Sequence, residues 1–482
     1  MTFAAGQRER VIDEEGRRLA IIRPSRRQLA WQQMEFYAFV HFGMNTMTGR
    51  EWGLGHEDPL LFDPSELDVD GWMTAIASAG MTGVILTAKH HDGFCLWPSR
   101  ATKHTVAASP WQSGRGDIVR EVAEAAARHN LRLGIYLSPW DRTEATYGTG
   151  TAYDDFFVAQ LTELLSEYGL VFSVWFDGAC GEGANGKVQV YDWDRYYRVI
   201  RELQPDAVIS VCGPDVRWCG NEAGSTRSDE WSVVPASLLD QERIANKSQH
   251  QDDGEFARLV HSDEDDLGSR SALRGHLDDL AWYPAEVNTS IRPGWFHHPE
   301  EDDKVRAAEE LIGVWYSSVG GNACFLLNVP PTAAGRISEP DVDVLDQLGR
   351  LIADYSARGV STTVTVSSGV VPEGFGSAAD APGEPWEPTS DDPHPTMELH
   401  FDRPVAIEAI EVREDIRTGQ RIEDLVVVGV NGEKEFSLGS VHAVGHRRIL
   451  RFEPRIVDTA RVEIRSSRDV PCILAVTAVA SR

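Results

Sequence analysis

The stretch from Leu131 to Gly178 decides the fold. It opens with the apolar run LRLGIYLSP (131–139), continues through a helix-length amphipathic segment from Phe156 to Gly169, and ends in VFSVWFDG (171–178). Each run is short, nearly unbroken in apolarity and rich in β-branched and aromatic residues. A parallel strand reads this way because the helices that cross over it bury both faces. The same unit extends in both directions. FYAFVHFG (36–43) and TGVILTAKHH (82–91) come before, and AVISVCG (207–213) and ACFLLNVPP (323–331) come after. Ile118 to His129 and Lys304 to Val319 carry the helical period between runs. Strand alternating with helix from residue 36 to residue 355 implies a parallel sheet. A doubly wound nucleotide-binding sheet would put a glycine-rich phosphate loop after its first strand. Here the first run ends in His41-Phe42-Gly43-Met44-Asn45. The expectation is a (β/α)8-like barrel, with residues 226–234 and 278–291 supplying the two strands that are hardest to see.

Beyond residue 357 the texture changes. Residues 368–396 are dense in Gly, Pro, Asp and Ser. Alternating runs follow: MELHF, AIEAIEVRE, DLVVVGV, RRILRFE, ARVEIRS and CILAVTAVA. Asn431-Gly432 between two of them is a two-residue hairpin signal. The expected organisation is a catalytic barrel over 1–356 and a C-terminal antiparallel β-sandwich over 357–482.

The formal charge is −29, which disfavours nucleic acid and anionic membrane surfaces as partners. No run reaches the roughly 18 apolar residues of a spanning helix. The first 18 residues, MTFAAGQRERVIDEEGRR, lack the apolar centre of a secretory leader. The sequence as it stands reads as cytoplasmic, or as secreted if a leader has been removed. None of the six cysteines has zinc-type spacing, and most lie in or beside apolar runs, so they read as free thiols.

Active groups of a parallel barrel sit at the C-terminal ends of its strands. The first run ends in His41, and the second in Lys89-His90-His91-Asp92. The third ends near Tyr136, Ser138, Trp140 and Asp141, and the fourth in Trp175-Phe176-Asp177. The fifth leads through CGPDVRWCGNE to Glu222. A lone histidine at a strand end is more often structural than catalytic, and His90 and His91, being adjacent, would face opposite sides of a regular strand. Asp177 is harder to dismiss, because an acid directly after VFSVWF is costly to bury without a partner or a task. Many of the 14 tryptophans lie near the same strand ends. Such rings either fill the layer between barrel and helices or stack on sugar faces. Tryptophan, histidine and acid on one rim favour a carbohydrate ligand. No GxSxG elbow supports a serine hydrolase. A zinc site on His41, His90, His91 and Asp177 is the rival chemistry.

FVHFGMNT, REWG, TAKHHDGFCLWPS, GIYLSPWD, VWFDG, PAEVNTSIRPGWF and EELIGVWYSSVGGNACFLLNVPP occur in order over residues 25–355. Together they resemble the α-L-fucosidases of glycoside hydrolase family 29. The resemblance implies retaining hydrolysis of terminal α-L-fucose without cofactor or metal, and a fucosylated oligosaccharide or glycoconjugate as the partner. It assigns Asp177 as nucleophile and His41, Glu51, Trp52, His90 and His91 to the sugar, and Tyr136 matches the tyrosine of its third strand motif. Trp218 and Trp295, among the tryptophans near the strand ends, are read beside them as further substrate-binding residues. Glu222, Glu230 and Glu286 are candidates for the acid/base. Arg217-Trp218-Cys219-Gly220-Asn221-Glu222 resembles the RW-x-GNE motif of the subgroup that cleaves α-1,3/1,4-linked fucose from Lewis-type branches, which favours Glu222. A barrel glycosidase of other sugar preference, such as a galactosidase, and a non-catalytic sugar-binding protein are the alternatives.

Overall fold

The computed structural model describes residues 12–241, 266–375 and 383–482. Part of the N-terminal stretch read above, and the middle of the 368–396 segment, lie outside them.

Eight parallel strands form the barrel sheet: β1 (Phe36–Val40), β2 (Gly83–Lys89), β3 (Arg132–Leu137), β4 (Val171–Phe176), β5 (Val208–Val211), β6 (Arg217–Trp218), β9 (Ala285–Ser290) and β10 (Cys324–Asn328). Their order is β5-β4-β3-β2-β1-β10-β9-β6. An isolated bridge between Ser210 and Val216 all but closes the ring. The runs at 131–139 and 171–178 lie side by side, with Tyr136 opposite Trp175. Nearly every residue of β1 to β5 is buried, as strands covered on both faces require. The segment Ile118–Arg128 is helical because Asp117 caps it, accepting from Arg120 N, and because Ile118, Val122, Ala125 and Ala126 form one buried stripe.

Three sequence expectations are corrected. Residues 226–234 give no barrel strand. Their end, β7 (Val233–Pro235), pairs antiparallel with β8 (Leu280–Trp282) as a separate ribbon. The missing barrel strand is β6, two residues long and reached from β5 without an intervening helix. A strand that short has no periodicity to read. The stretch 278–291 holds both β8 and the barrel strand β9. Lastly, the long helix before β4 starts earlier than read, spanning Thr151–Glu167, and the one before β10 starts later, spanning Ala308–Ser318 after a 3-10 turn over Pro299–Lys304.

Helix Glu339–Ala357 leads into the C-terminal sandwich. Its strands are β11 (Gly359–Val360), β12 (Thr363–Val366), β13 (Thr396–Glu414), β14 (Ile422–Asn431), β15 (Lys434–Val441), β16 (Arg448–Ser467) and β17 (Ile473–Ala480). Register breaks after His400 and Ile407 divide β13, so its first part pairs with β12 and its second with β17. The enclosed core includes Trp386, Met397, Leu425, Val427, Val462 and Ile473. Asn431 pairs with Lys434, so Gly432 and Glu433 form the turn. Gly432 sits at φ 60°, which suits glycine at the first central position of a type II′ hairpin. The hairpin is where the sequence put it, but its turn starts one residue later. Ala409, Ile449 and Val479 join the barrel core. Glu35, just before β1, binds Arg447 at 2.6 Å and Arg413 and His446 at 3.0 Å. Burial alone would raise its carboxyl, but the Arg447 and Arg413 guanidinium groups and the hydrogen bond from His446 hold it well below the ordinary range.

Candidate active site

The C-terminal ends of the strands surround a pocket of about 440 Å³ including its mouth. It is lined by His41, Glu51, Trp52, His90, His91, Asp177, Glu222 and Trp295 among the residues expected from sequence. β2 ends at Lys89 with a register break against β3, so His90 and His91 lie beyond the regular strand. That break removes the alternation rule, and both rings reach the pocket.

The three imidazoles are neutral and carry inferable tautomers. Burial depresses the pKa of His41 and of His91 to about 3, and that of His90 well below the ordinary value. Asn328 uses its amide N–H groups on Ser290 Oγ and the Trp295 carbonyl. Its carbonyl oxygen therefore accepts from His41 Nδ1–H at 2.8 Å, leaving Nε2 an acceptor. Ser138 donates its hydroxyl to the Trp140 carbonyl, so Oγ accepts from His91 Nδ1–H at 2.7 Å. Asn45 donates to the Glu51 carbonyl and to His90 Nδ1 at 3.1 Å, so His90 presents Nε2–H. Two acceptors and one donor on neighbouring rings suit a ligand rich in hydroxyl groups.

Asp177 follows β4. Its Oδ2 accepts from the Tyr136 hydroxyl at 2.9 Å, and its Oδ1 from Ala179 N at 2.8 Å. Burial raises this carboxyl, and those donors oppose the rise. Glu222 accepts from Trp295 Nε1 at 3.2 Å. Its carboxyl is pushed up to about 8, first by burial and then by the charge of Asp177. Glu51 is held by Trp295 N at 2.8 Å, Phe296 N at 3.3 Å and His298 Nε2 at 2.8 Å. The absence of a side chain at Gly294 matters here, because a Cβ would stand 2.4 Å from Glu51 Oε1. The Trp52 ring sits edge-on to His91 and Trp140.

Tyr136 and Trp218 do not line the pocket itself. Tyr136 is fully buried and reaches it through Asp177, and Trp218 reaches it through Asn288 Oδ1 at 2.9 Å. The other two glutamates have different surroundings. Glu230 is clamped by Arg217 and Arg227 at 2.8 and 3.1 Å, and its carboxyl lies below the ordinary value because the two guanidinium groups outweigh burial. Glu286 accepts from Tyr37 and, at 2.7 Å, from Trp175 Nε1, and burial pushes it up to about 7.

Phe39, Trp175, Ala179 and Asn288 also line the pocket and were not singled out as binding residues from sequence. The signal for three of them was period two. Phe39 stands two before His41, Trp175 two before Asp177, and Asn288 two after the inward Glu286. Among the described residues, His90, His91 and Asp177 form a group that could hold a metal ion, with one ligand atom each inside 4.8 Å.

A (β/α)8-like barrel whose rim gathers two protonatable carboxyl groups, neutral imidazoles and indole faces defines a glycoside hydrolase. Residues 31–357 match the family model for α-L-fucosidase. Alpha-L-fucosidase 1 of Arabidopsis thaliana is 39% identical over 462 residues, covering 91% of this chain and 85% of that protein. Among solved structures, a glycoside hydrolase 29 family member from an unknown rumen bacterium is 32% identical, with a TM-score of 0.77 over 96% of this chain and 78% of that one. A Ruminococcus gnavus fucosidase of family 29, in complex with fucose, is 26% identical, with a TM-score of 0.79 over 96% of this chain and 95% of that one. The chain belongs to the α-L-fucosidase family, glycoside hydrolase family 29, and is an enzyme of that class rather than a non-catalytic sugar-binding protein.

Proposed function

We propose that this enzyme is a retaining exo-α-L-fucosidase that releases terminal α-1,3/1,4-linked fucose from Lewis-type branches through a fucosyl–Asp177 ester. The observation that carries the reading is the contrast between Asp177 and Glu222 in one pocket. Asp177 has two donors that favour its ionised form, and Glu222 has burial and a neighbouring negative charge that favour its proton. Asp177 attacks the anomeric carbon while Glu222 protonates the leaving glycosidic oxygen. Glu222, now ionised, takes a proton from the water that hydrolyses the ester. Glu230 and Glu286 are tied up in an arginine clamp and in a tyrosine–tryptophan contact, which leaves Glu222 the better acid/base. The linkage preference rests on the Arg217–Glu222 motif.

The test compares wild type, Asp177→Gly and Glu222→Ala on a Lewis-type trisaccharide, an α-1,2-fucoside and an aryl fucoside. The wild type should release fucose from the branched substrate in preference to the α-1,2-fucoside. With azide, Glu222→Ala should form the α-fucosyl azide from the trapped ester, and Asp177→Gly the β-fucosyl azide by direct displacement. Preference for the α-1,2-fucoside would overturn the linkage assignment. A β-azide, or no rescue, from Glu222→Ala would overturn its role.

A further inference from the structure

Glu222 stands on a loop between the two-residue strand β6 and the three-residue strand β7. Strands this short offer few ladder hydrogen bonds to fix what they carry. Within the loop, Asn221 Oδ1 accepts from Ala223 N and Ser225 N at 3.1 and 3.2 Å. Glu230 draws the ends together by accepting from Arg217 and Arg227, and Arg227 also donates to the Cys219 carbonyl at 3.0 Å.

Further anchors come from the C-terminal sandwich. The Asp229 carboxylate accepts from His442 N at 3.2 Å and Ala443 N at 3.3 Å, with the Arg448 guanidinium 3.7 Å away. Arg448 Nη2 donates to the Ser228 carbonyl at 2.7 Å. Asn322 bridges the Glu230 carbonyl, at 2.8 Å, to His446 N, at 2.7 Å. Ser232 N donates to Gln420 Oε1 at 2.8 Å. Thus Ser228, Asp229, Glu230 and Ser232 are all tied to residues 420–448.

We propose that the sandwich is a positioning element for the acid/base: by holding Ser228, Asp229 and Glu230, the segment 442–448 sets where the Glu222 carboxyl stands. This rests on Glu222 being the acid/base. Arg448 and Asp229 do not line the pocket and act through the loop. Proton transfer demands hydrogen-bond reach to the leaving oxygen, and a displacement near 1 Å is enough to cost about 100-fold in rate. A leaving group that departs without protonation is indifferent to that displacement.

The experiment measures kcat/KM for Arg448→Met, Asp229→Asn and Arg448→Lys on two substrates. One is a Lewis-type trisaccharide, whose sugar alkoxide needs the proton. The other is 2-chloro-4-nitrophenyl α-L-fucoside, whose phenolate does not. Arg448→Met and Asp229→Asn should lose about tenfold more on the trisaccharide than on the aryl fucoside, a fraction of what a full general acid supplies. The alkaline limb of the trisaccharide pH profile should move to lower pH as water reaches Glu222. Arg448→Lys should recover part of the loss. An equal change on both substrates, or none, with an unmoved alkaline limb would overturn the proposal. Glu222→Ala, run beside them, separates the two failures. If it spares the aryl fucoside and is rescued by azide while Arg448→Met stays flat, the sandwich inference alone falls. If it shows neither, the acid/base assignment falls, and the inference with it.

Discussion

Replacing Glu222 by Gln should stabilise the fold above mildly acidic pH while removing the acid. The amide keeps the shape of the protonated carboxyl and can still accept from Trp295 Nε1. In the folded protein the carboxyl is pushed from 4.5 up to about 8. A raised folded pKa means that the native state holds a proton the unfolded chain releases. The wild type therefore keeps its full stability below the unfolded value and loses it progressively as pH rises to about 8. At about 1.4 kcal/mol per pKa unit, a rise from 4.5 to 8 sets a ceiling of about 5 kcal/mol. Glu222 is half-buried in the pocket wall, and water in the pocket screens part of that cost, so we expect about 2 kcal/mol. The assay is chemical denaturation of wild type and Glu222→Gln at pH 4.5 and pH 8.5. The midpoints should coincide at the lower pH and separate at the higher one, with the variant more resistant. A separation of the same size at both pH values, or none at pH 8.5, would refute the reasoning. Hydrolysis of the oligosaccharide should fall by about 10²–10⁴.

The alkaline limb of the wild-type kcat/KM profile should lie near pH 8, where Glu222 loses its proton, and a limb below pH 6 would contradict the burial argument. Tyr136→Phe removes the donor 2.9 Å from Asp177 Oδ2, so kcat/KM should fall by about 10-fold, the scale of one charge-assisted hydrogen bond, with the fold retained by circular dichroism. Glu286→Ala leaves Tyr37 and Trp175 without their acceptor and opens a cavity under the pocket floor. Stability should drop by about 2–4 kcal/mol in urea denaturation, and activity with it as Trp175 loosens. Dialysis against a chelator should leave fucose release unchanged. Activity lost to chelation and restored by zinc would revive the His90–His91–Asp177 metal reading.

The barrel class, the second domain and most of the rim were determined by the sequence alone, because they depend on local pattern. Apolar runs at 36–43, 82–91, 131–139 and 171–178 buried on both faces admit few arrangements, and the polar residue that ends each run must lie on the barrel's C-terminal rim. The hairpin at Gly432 is equally local. Long-range contacts decided the rest. β6 became a barrel strand because Arg217 and Trp218 pair with Ala285 and Glu286, nearly 70 residues onward. His90 and His91 both entered the pocket because β2 breaks its register against β3. The three candidate glutamates carry the same carboxyl group. Only the fold distinguishes them: it sets Glu230 between two arginines, Glu286 against Trp175, and Glu222 beside Asp177. The protonation of a carboxyl group is decided by which charges and donors surround it, and those are brought together by folding rather than by neighbourhood in the chain.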